Sequence, residues 1–298
     1  MMLGLHIGID LGGTNVRVGT INEKGEIKEL LQNTTEAEKG YDYTKSKMVD
    51  MVRTIREGQE ISGIGIGAPG PLDPKEGLIL SPPNLPGWDD IPIVDDLSKV
   101  FQTNVRLSND ANAAALAEAK FGSGQGYESV FYVTVSTGVG GGLVVNGNVF
   151  EGAQGYAGEI GNMILNPYGY QQSNLNRGSL ESHASGTAIG KIAEERYEIS
   201  GGAEEVFRLA RTGDENAAAV VNEAIDYLAM GLANITHVIN PSVFVLGGGV
   251  MKSESLILPP LKEKLKSYVY PGLVPEITLK LASLGGSAGV IGAALLAE

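Results

Sequence analysis

The sequence contains no cysteine and only three histidines among its 298 residues. Without cysteine the chain forms no disulfide and no thiolate metal site, and His6, His183 and His237 are too few for a histidine-rich metal centre. No run is long and apolar enough to span a bilayer, and nothing near the N-terminus resembles a signal peptide. We therefore predict a cytoplasmic protein with no membrane partner.

Positive charge is also scarce, because 22 Lys and Arg stand against 35 Asp and Glu, which gives a formal net charge of −13. This balance disfavours a nucleic-acid partner, whose phosphates need a basic surface. Any phosphorylated substrate must then be held by local N–H groups and Mg²⁺. Glycine, by contrast, is abundant at 42 residues. The length and the 43% hydrophobic content predict two domains with a cleft between them.

Hydrophobic periodicity predicts a mixed α/β fold. Strands are predicted at residues 5–10, 16–21, 26–32, 61–67, 105–107, 129–136, 143–145, 243–246 and 277–281, and helices at 44–57, 94–101, 111–121, 187–198, 203–211, 217–239, 253–268 and from 288. The segment 129–145 repeats the strand, glycine turn and strand of the chain's opening, which indicates two similar halves. We place a smaller domain at 1–113 with 288–298, and a larger one at 114–287.

The opening strand runs into a glycine turn that is suited to phosphate. Gly12 and Gly13 lack a Cβ, so their N–H groups can face an anion, and Thr14 adds a hydroxyl donor beside Asn15. Asp10 would repel a bare phosphate, which indicates a Mg²⁺ between the carboxylate and the phosphate, usually through water. The alternative is an ordinary hairpin turn between two strands.

Two further glycine turns follow predicted strands, one at residues 137–142 and one at 247–249. We assign Thr137 and Gly138 to phosphate, like the first turn. The third turn would let the backbone lie against a flat base and ribose, at Gly247, Gly248 and Gly249. Three such turns in one chain predict a nucleotide site, and the alternative is that these glycines only permit tight packing.

Asn109 and Asp110 stand between a short predicted strand and an alanine-rich helix. Asp110 fits a helix N-cap. The start of a helix at a strand end also fixes a carboxylate rigidly, as a base that deprotonates a hydroxyl requires. The two roles are compatible. Trp88, beside a Pro-Gly turn, is either a platform for a sugar ring or an anchor for its loop.

Six motifs of a known protein family occur in the same order in this chain, at residues 10–14, 67–70, 81–88, 109–114, 136–142 and 157–161. With them the whole chain resembles the ROK family (repressor, open reading frame, kinase), and most closely its bacterial glucokinases. The resemblance implies the actin-like ATPase (ribonuclease H-like) fold, in which two α/β domains close over ATP, Mg²⁺ and a hexose. It also implies a homodimer.

The resemblance further implies a role for individual residues. Asp110 becomes the general base in transfer of the γ-phosphate of ATP to the 6-hydroxyl of a hexose, with glucose as first choice. The implied sugar ligands are carboxylates, amides and one backbone group, at Gly70, Asn84, Asn109, Asp110, Glu159 and Glu181. Such groups donate and accept several hydrogen bonds, so an unpaired one penalises the wrong epimer.

The sequence departs from the family at a structural zinc site, which most members build from one His and three Cys. Those positions hold Asn162, Gln172, Asn174 and Ser179 here. The loss predicts a zinc-free protein in which hydrogen bonds replace the metal. His183 alone cannot build a closed tetrahedral site.

The family's His also lies near the anomeric end of the sugar, so Asn162 alters that end of the pocket and joins the candidate sugar ligands. Mannose, fructose or an N-acylhexosamine such as N-acetylmannosamine therefore stay open as substrates, and polyphosphate stays open as a donor. A non-catalytic sugar-sensing protein is a further alternative. A repressor of this family needs an N-terminal helix-turn-helix, whereas the first predicted strand starts at Leu5.

Overall fold

The computed structural model describes residues 5–172 and 175–298. In this part of the chain the strands are β1 (Leu5–Leu11), β2 (Asn15–Ile21), β3 (Ile27–Thr34), β4 (Ile61–Ala68), β5 (Leu72–Asp73), β6 (Leu78–Ile79), β7 (Val105–Asn109), β8 (Ser129–Val135), β9 (Val139–Val145), β10 (Asn148–Val149), β11 (Val243–Gly247) and β12 (Leu279–Leu281). The α-helices are α1 (Tyr41–Arg56), α2 (Ile93–Phe101), α3 (Asp110–Phe121), α4 (Leu180–Ala184), α5 (Gly186–Tyr197), α6 (Gly202–Arg211), α7 (Glu215–Val238), α8 (Glu254–Tyr268) and α9 (Ala288–Leu296). None of these helices is long and apolar enough to cross a membrane.

Two five-stranded sheets have the same strand order. The first is ordered β3-β2-β1-β4-β7 and the second β10-β9-β8-β11-β12. In the first sheet β2 is antiparallel to β1 and β3, whereas β4 is parallel to β1 and β7. In the second, β11 is parallel to β8 and β12. Each sheet therefore opens on a strand, a turn and a returning strand, as the repeated pattern in the sequence predicts.

The chain forms two compact units that interleave in sequence. Unit 1 comprises the described part of Met1–Gly126 with Gly142–Ala157 and Ser283–Glu298, and unit 2 comprises Tyr127–Gly141 and Gly158–Ala282. The boundary that we placed after residue 113 falls inside α3, which lies wholly in unit 1. The reason is its packing on α9, where a Cβ added at Gly292 would lie 1.7 Å from the carbonyl oxygen of Ala113.

Glycines in β1 and β4 let α9 lie close to the first sheet. A Cβ at Gly8 would lie 2.2 Å from the Val290 carbonyl oxygen, and one at Gly65 would lie 1.8 Å from that of Ala293. Any larger side chain at either position would push the helix away from the strands. This close packing brings the start of α9 to the end of β1, where Asp10 stands.

The structure corrects the second glycine turn. Strand β8 ends at Val135 and β9 already begins at Val139, so the turn consists of residues 136–138. The glycines at 140–142 lie within β9, and at Gly141 and Gly142 the neighbouring chain leaves no room for a side chain. A Cβ at Gly141 would lie 2.9 Å from the Gly158 carbonyl oxygen. Glycine in this strand thus reports close packing rather than a turn.

Candidate active site

The predicted phosphate turn joins β1 to β2 in unit 1. The Gly12 N–H donates to the Asn15 carbonyl oxygen at 2.9 Å and closes the turn. From behind, the Thr35 hydroxyl donates to the Gly12 carbonyl oxygen at 2.6 Å, and the Thr35 N–H donates to that of Thr14 at 2.8 Å. Thr35 is fully buried. It holds the shape of the turn, although no motif in the sequence identified it.

A concavity of about 270 Å³ lies over this turn. Its lining includes Arg17, which the sequence analysis also missed. Arg17 is the register partner of Asp10 across the β1–β2 pair, and its Nη1 lies 3.6 Å from Asp10 Oδ2. The guanidinium also donates to the Gly286 carbonyl oxygen at 2.8 Å and to Gln32 Oε1 at 3.1 Å. The antiparallel hairpin could have located Arg17, because residues equally distant from a turn face each other across it.

Asp10 is shielded from solvent by the first turn of α9. A Cβ at Gly289 would lie 2.7 Å from the Asp10 Cγ, and the Asp10 side chain keeps 21% of its surface exposed. This burial raises the pKa of Asp10, and the Arg17 guanidinium acts in the opposite direction. A partly desolvated carboxylate beside a phosphate turn is a ligand type that suits Mg²⁺, so the residues present fit this ion.

The loop that carries Asn84 packs directly on the phosphate turn. A Cβ at Gly13 would lie 2.7 Å from the Asn84 carbonyl oxygen and 3.0 Å from the Asn84 Cβ. Trp88 and Leu85 fix this loop, because both are buried in the core of unit 1. The Trp88 ring meets Tyr41 edge-on with 5.1 Å between centroids. Trp88 is therefore the loop anchor and not a platform for a sugar ring.

Asn109 and Asp110 lie at the junction of β7 and α3. The N-cap of α3 is Asn109, whose Oδ1 accepts from the Ala111 N–H at 2.9 Å. The same N–H donates to Asp110 Oδ1 at 2.7 Å. Asp110 is thus the first residue of the helix rather than its N-cap, and its side chain is exposed. Asn109 pairs in register with Ala68, so Gly70 follows the neighbouring parallel strand by two residues.

In unit 2, Glu181 lies against the second glycine turn. It is in the first turn of α4, and its Oε2 accepts from the Val139 N–H at 2.8 Å. A Cβ at Gly138 would lie 2.6 Å from this oxygen, and one at Gly161 would lie 3.2 Å from it. The two glycines therefore make room for the carboxylate. The Val139 N–H, which follows this turn at the start of β9, is therefore already engaged by Glu181.

The negative charge of Glu181 acts on Glu159. Burial raises the pKa of both, and the Glu181 charge raises that of Glu159 further. The Val139 N–H acts against this at Glu181, because it stabilises the ionised form. Two carboxylates in one region are good acceptors for the hydroxyl groups of a polar ligand.

The third glycine turn follows β11 and lies beside the second turn within unit 2. Gly247 ends the strand, and Gly248 has a φ of 91°. A Cβ at Gly248 would lie 2.2 Å from the Val135 carbonyl oxygen, so this glycine is required by packing. At Gly249 the nearest neighbour of a Cβ would be Ser136 Oγ, 3.6 Å away. The packing alternative thus explains Gly248, whereas Gly249 leaves its backbone accessible.

Hydrogen bonds hold the segment in which the family's zinc ligands are missing. Asn162 Oδ1 accepts from the Asn176 N–H at 2.7 Å. Asn174 lies outside the described residues. Among residues 5–172 and 175–298, no group of three or more His, Asp and Glu side chains is arranged to hold a metal ion.

Two more of the substituted positions are bonded to α4. The Gln172 N–H donates to Ser182 Oγ at 3.2 Å. This hydroxyl shares a 2.7 Å hydrogen bond with Ser179 Oγ, and both serines are fully buried. The segment is thus fastened to the helix that carries Glu181.

Two sheets that each open on a strand, a glycine turn and a returning strand are the arrangement of the actin-like ATPases, and this fold class is confirmed. Carboxylates and amides, which can hydrogen-bond to sugar hydroxyls, stand in the motifs beside these turns. The fold and the relatives reported next identify the chain as a sugar kinase.

The chain belongs to the ROK family, whose model matches residues 6–298. It is 33% identical to a glucokinase of Thermotoga maritima over 302 residues, which cover 97% of this chain and 95% of that protein. The ROK hexokinase from Thermus thermophilus superposes with a TM-score of 0.88 at 36% identity, covering 98% of this chain and 97% of that one. A ROK glucokinase from Streptomyces griseus, in complex with glucose and AMPPNP, gives 0.82 at 31% identity and covers 99% of each chain.

Proposed function

We propose that this sugar kinase transfers the γ-phosphate of ATP to the 6-hydroxyl of a hexose, with glucose as the first candidate. The observation that carries the proposal is the packing of the Asn84 loop on Gly13. In this packing Asn84, a candidate sugar ligand, adjoins the candidate phosphate turn within unit 1, which supports the proposal. The Streptomyces griseus relative, which was solved with glucose and a nucleotide analogue, supports the same substrates.

In unit 1, the concavity over Gly12 and Gly13 would take the phosphates of ATP. Their N–H groups and the Thr14 hydroxyl would donate to phosphate oxygens, and Arg17 would add a positive charge to a site in an acidic chain. Asp10 would hold Mg²⁺, which when bound neutralises charge on the transferred phosphoryl group. Unit 2 has candidate nucleotide ligands of its own in the second and third turns, at Thr137, Gly138, Gly247, Gly248 and Gly249.

Asp110 would act as the general base. Its carboxylate would accept the proton of the 6-hydroxyl while the sugar oxygen bonds to the γ-phosphorus and the bond from that phosphorus to the ADP oxygen breaks. Two observations support this role. Asn109 caps the helix, so Asp110 is not needed as the cap, and the Asp110 side chain is exposed at the rigid start of α3.

The candidate sugar ligands of unit 1 are the Gly70 backbone, Asn84, Asn109 and Asp110, and those of unit 2 are Glu159, Asn162 and Glu181. Asn162 is the residue that we expect to determine which sugar binds. Its Oδ1 accepts a hydrogen bond from Asn176, so its Nδ2 is left to donate hydrogen bonds where the family has an imidazole. Mannose, fructose and N-acetylmannosamine are therefore the alternative substrates.

We also infer a homodimer, which light scattering of the purified protein tests.

A coupled assay of ADP release tests the proposal. Mg-ATP is supplied with glucose, mannose, fructose, N-acetylglucosamine or N-acetylmannosamine, and polyphosphate replaces ATP in a parallel series. We expect ATP-dependent turnover with glucose, and a ranking of the other sugars that changes in Asn162→His. Folded protein that turns over none of these sugars would overturn the proposal.

A further inference from the structure

His183 is a buried histidine in α4, two residues beyond Glu181 and outside the groups assigned to the reaction. It is 3% exposed. Its Nε2 accepts from the Tyr170 N–H at 3.1 Å. The adjoining Gly169 lies against the ring, and a Cβ added at this position would lie only 2.5 Å from Nε2. The imidazole is therefore in direct contact with the segment that has lost the family's zinc ligands.

The other side of the ring faces α5 and α7. His183 stacks on Tyr227 with 3.7 Å between centroids and 13° between planes. Its Nδ1 lies 3.8 Å from Glu223 Oε1, and this carboxylate is paired with Arg196. Since Nε2 accepts a hydrogen bond, the neutral ring carries its proton on Nδ1, toward Glu223.

A protonated ring cannot keep this arrangement. Protonation would place an N–H on Nε2, opposite the Tyr170 N–H at 3.1 Å, so that two donors would face each other. Burial also lowers the pKa of His183, the Arg196 charge adds to this, and the Glu223 charge opposes it. The hydroxyl of Tyr170 donates to Glu195 and does not reach the ring nitrogens.

We propose that His183 is a positioning residue for Glu181, and that its neutral imidazole fastens residues 166–172 to α4 in place of a metal. The segment is attached to this helix at Tyr170 through His183 and at Gln172 through Ser182. Loss of the first attachment loosens the helix whose Glu181 carboxylate is held by Val139. The proposal rests on the proposed function only in taking Glu181 as a sugar ligand.

The attachment is acid-sensitive, and the sign follows from proton linkage. Below the ordinary histidine pKa of about 6.5, the detached state takes up a proton that the attached state excludes. One such proton lowers the ratio of attached to detached segment about tenfold between about pH 7.5 and about pH 5.5. The affinity for sugar falls over the same interval, because Glu181 loses its position.

The first test needs no substrate, so its outcome is independent of the proposed function. Hydrogen-exchange protection of the Tyr170 amide is measured at both pH values in the wild type and in His183→Gln, whose side-chain oxygen accepts a hydrogen bond without ionising. We expect wild-type protection to fall about tenfold at the lower pH, and the variant to stay protected at both. Constant wild-type protection, or equal loss in the variant, overturns the proposal.

Two controls keep this test decisive. His237→Gln, which replaces an exposed histidine of unit 2, is expected to behave like the wild type. If His183→Gln does not fold, an NMR titration of the wild-type histidines takes its place. The His183 imidazole must then titrate below the ordinary histidine pKa of about 6.5, together with the loss of Tyr170 protection, and a value above about 6.5 contradicts the proposal.

The second test uses the sugar that the assay of ADP release identifies. In the wild type we expect the sugar KM to rise between about pH 7.5 and about pH 5.5 by up to about tenfold more than in His183→Gln, with a smaller change in kcat. His183→Phe keeps the ring but loses the acceptor, so its KM should be high at both pH values. Identical KM profiles in the wild type and His183→Gln contradict the positioning role.

Discussion

Gly13→Ala tests the contact between the phosphate turn and the Asn84 loop. The new Cβ would lie 2.7 Å from the Asn84 carbonyl oxygen and 3.0 Å from the Asn84 Cβ. Ordinary contacts of this kind are about 3.5 Å or longer, so relief of the 2.7 Å contact requires one of the two segments to move by about 0.8 Å. The Asn84 loop resists because Leu85 and Trp88 anchor it in the core.

Overpacking of this size costs about 1–3 kcal/mol. Relief of the clash displaces either the phosphate turn or Asn84, and binding of ATP or sugar must restore the displaced part. A free-energy cost of about 1.4 kcal/mol corresponds to a tenfold change in affinity. We therefore expect both KM values to rise, and the rise in the KM for ATP multiplied by the rise in the KM for sugar to be about 5-fold to 100-fold.

Gly12→Ala is the matched control, because a Cβ there approaches only Asn15 of the same turn, at 3.1 Å. Both variants are assayed by ADP release at varied ATP and varied sugar, and their folding is checked by thermal unfolding. We expect Gly12→Ala to raise the KM for ATP and to leave that for sugar within about twofold. An unchanged sugar KM in Gly13→Ala would refute the coupling of the two loops.

Three further predictions address the site. Asp110→Asn should lower turnover by about 10²-fold or more while sugar affinity, measured by calorimetry, stays within a few-fold, and near-normal turnover would remove Asp110 from the mechanism. Glu181→Gln should raise the Tm by a few degrees at about pH 8 and leave it unchanged at about pH 4. The reason is that burial raises the pKa of Glu181, so that the ionised carboxylate destabilises the folded state at the higher pH. Equal Tm values of the variant and the wild type at about pH 8 would contradict this prediction. Untagged protein should contain no stoichiometric zinc, and EDTA should not change its Tm, whereas bound zinc at one equivalent would contradict the loss of the metal site.

The helices and strands were predictable because hydrophobic residues recur along the sequence with the period of each element, according to which of its faces are buried. Strand β4 was expected at residues 61–67 and helix α7 at 217–239, and each lies within two residues of its expected bounds. The five-residue helix α4 was missed, since one turn is too short to show a period. The glycines of β9 were misassigned to a turn because the residues that pack against Gly141 and Gly142 lie ten or more positions away in the sequence.

The sequence indicated candidate residue types for the site, but it did not indicate the contacts that those residues make. The motifs around Asp10 and Asp110 were readable, because phosphate turns and fixed carboxylates have local sequence patterns. Arg17 and Thr35 were overlooked, although the hairpin register could have located Arg17. Thr35 carries no local signal, since its role depends on a strand that returns to the turn from behind.

By itself the sequence determined the order of the motifs, the family and the loss of all four zinc-ligand types, because these depend only on which residues occupy which positions. Only the tertiary structure decided that Trp88 is an anchor, that Gly13 supports Asn84 and that His183 receives the Tyr170 N–H. Each of these is a contact between residues that are separated along the chain. The pattern of hydrophobic residues along the sequence indicates which side chains are buried. The residues that a buried side chain contacts are decided only when the helices and strands pack together.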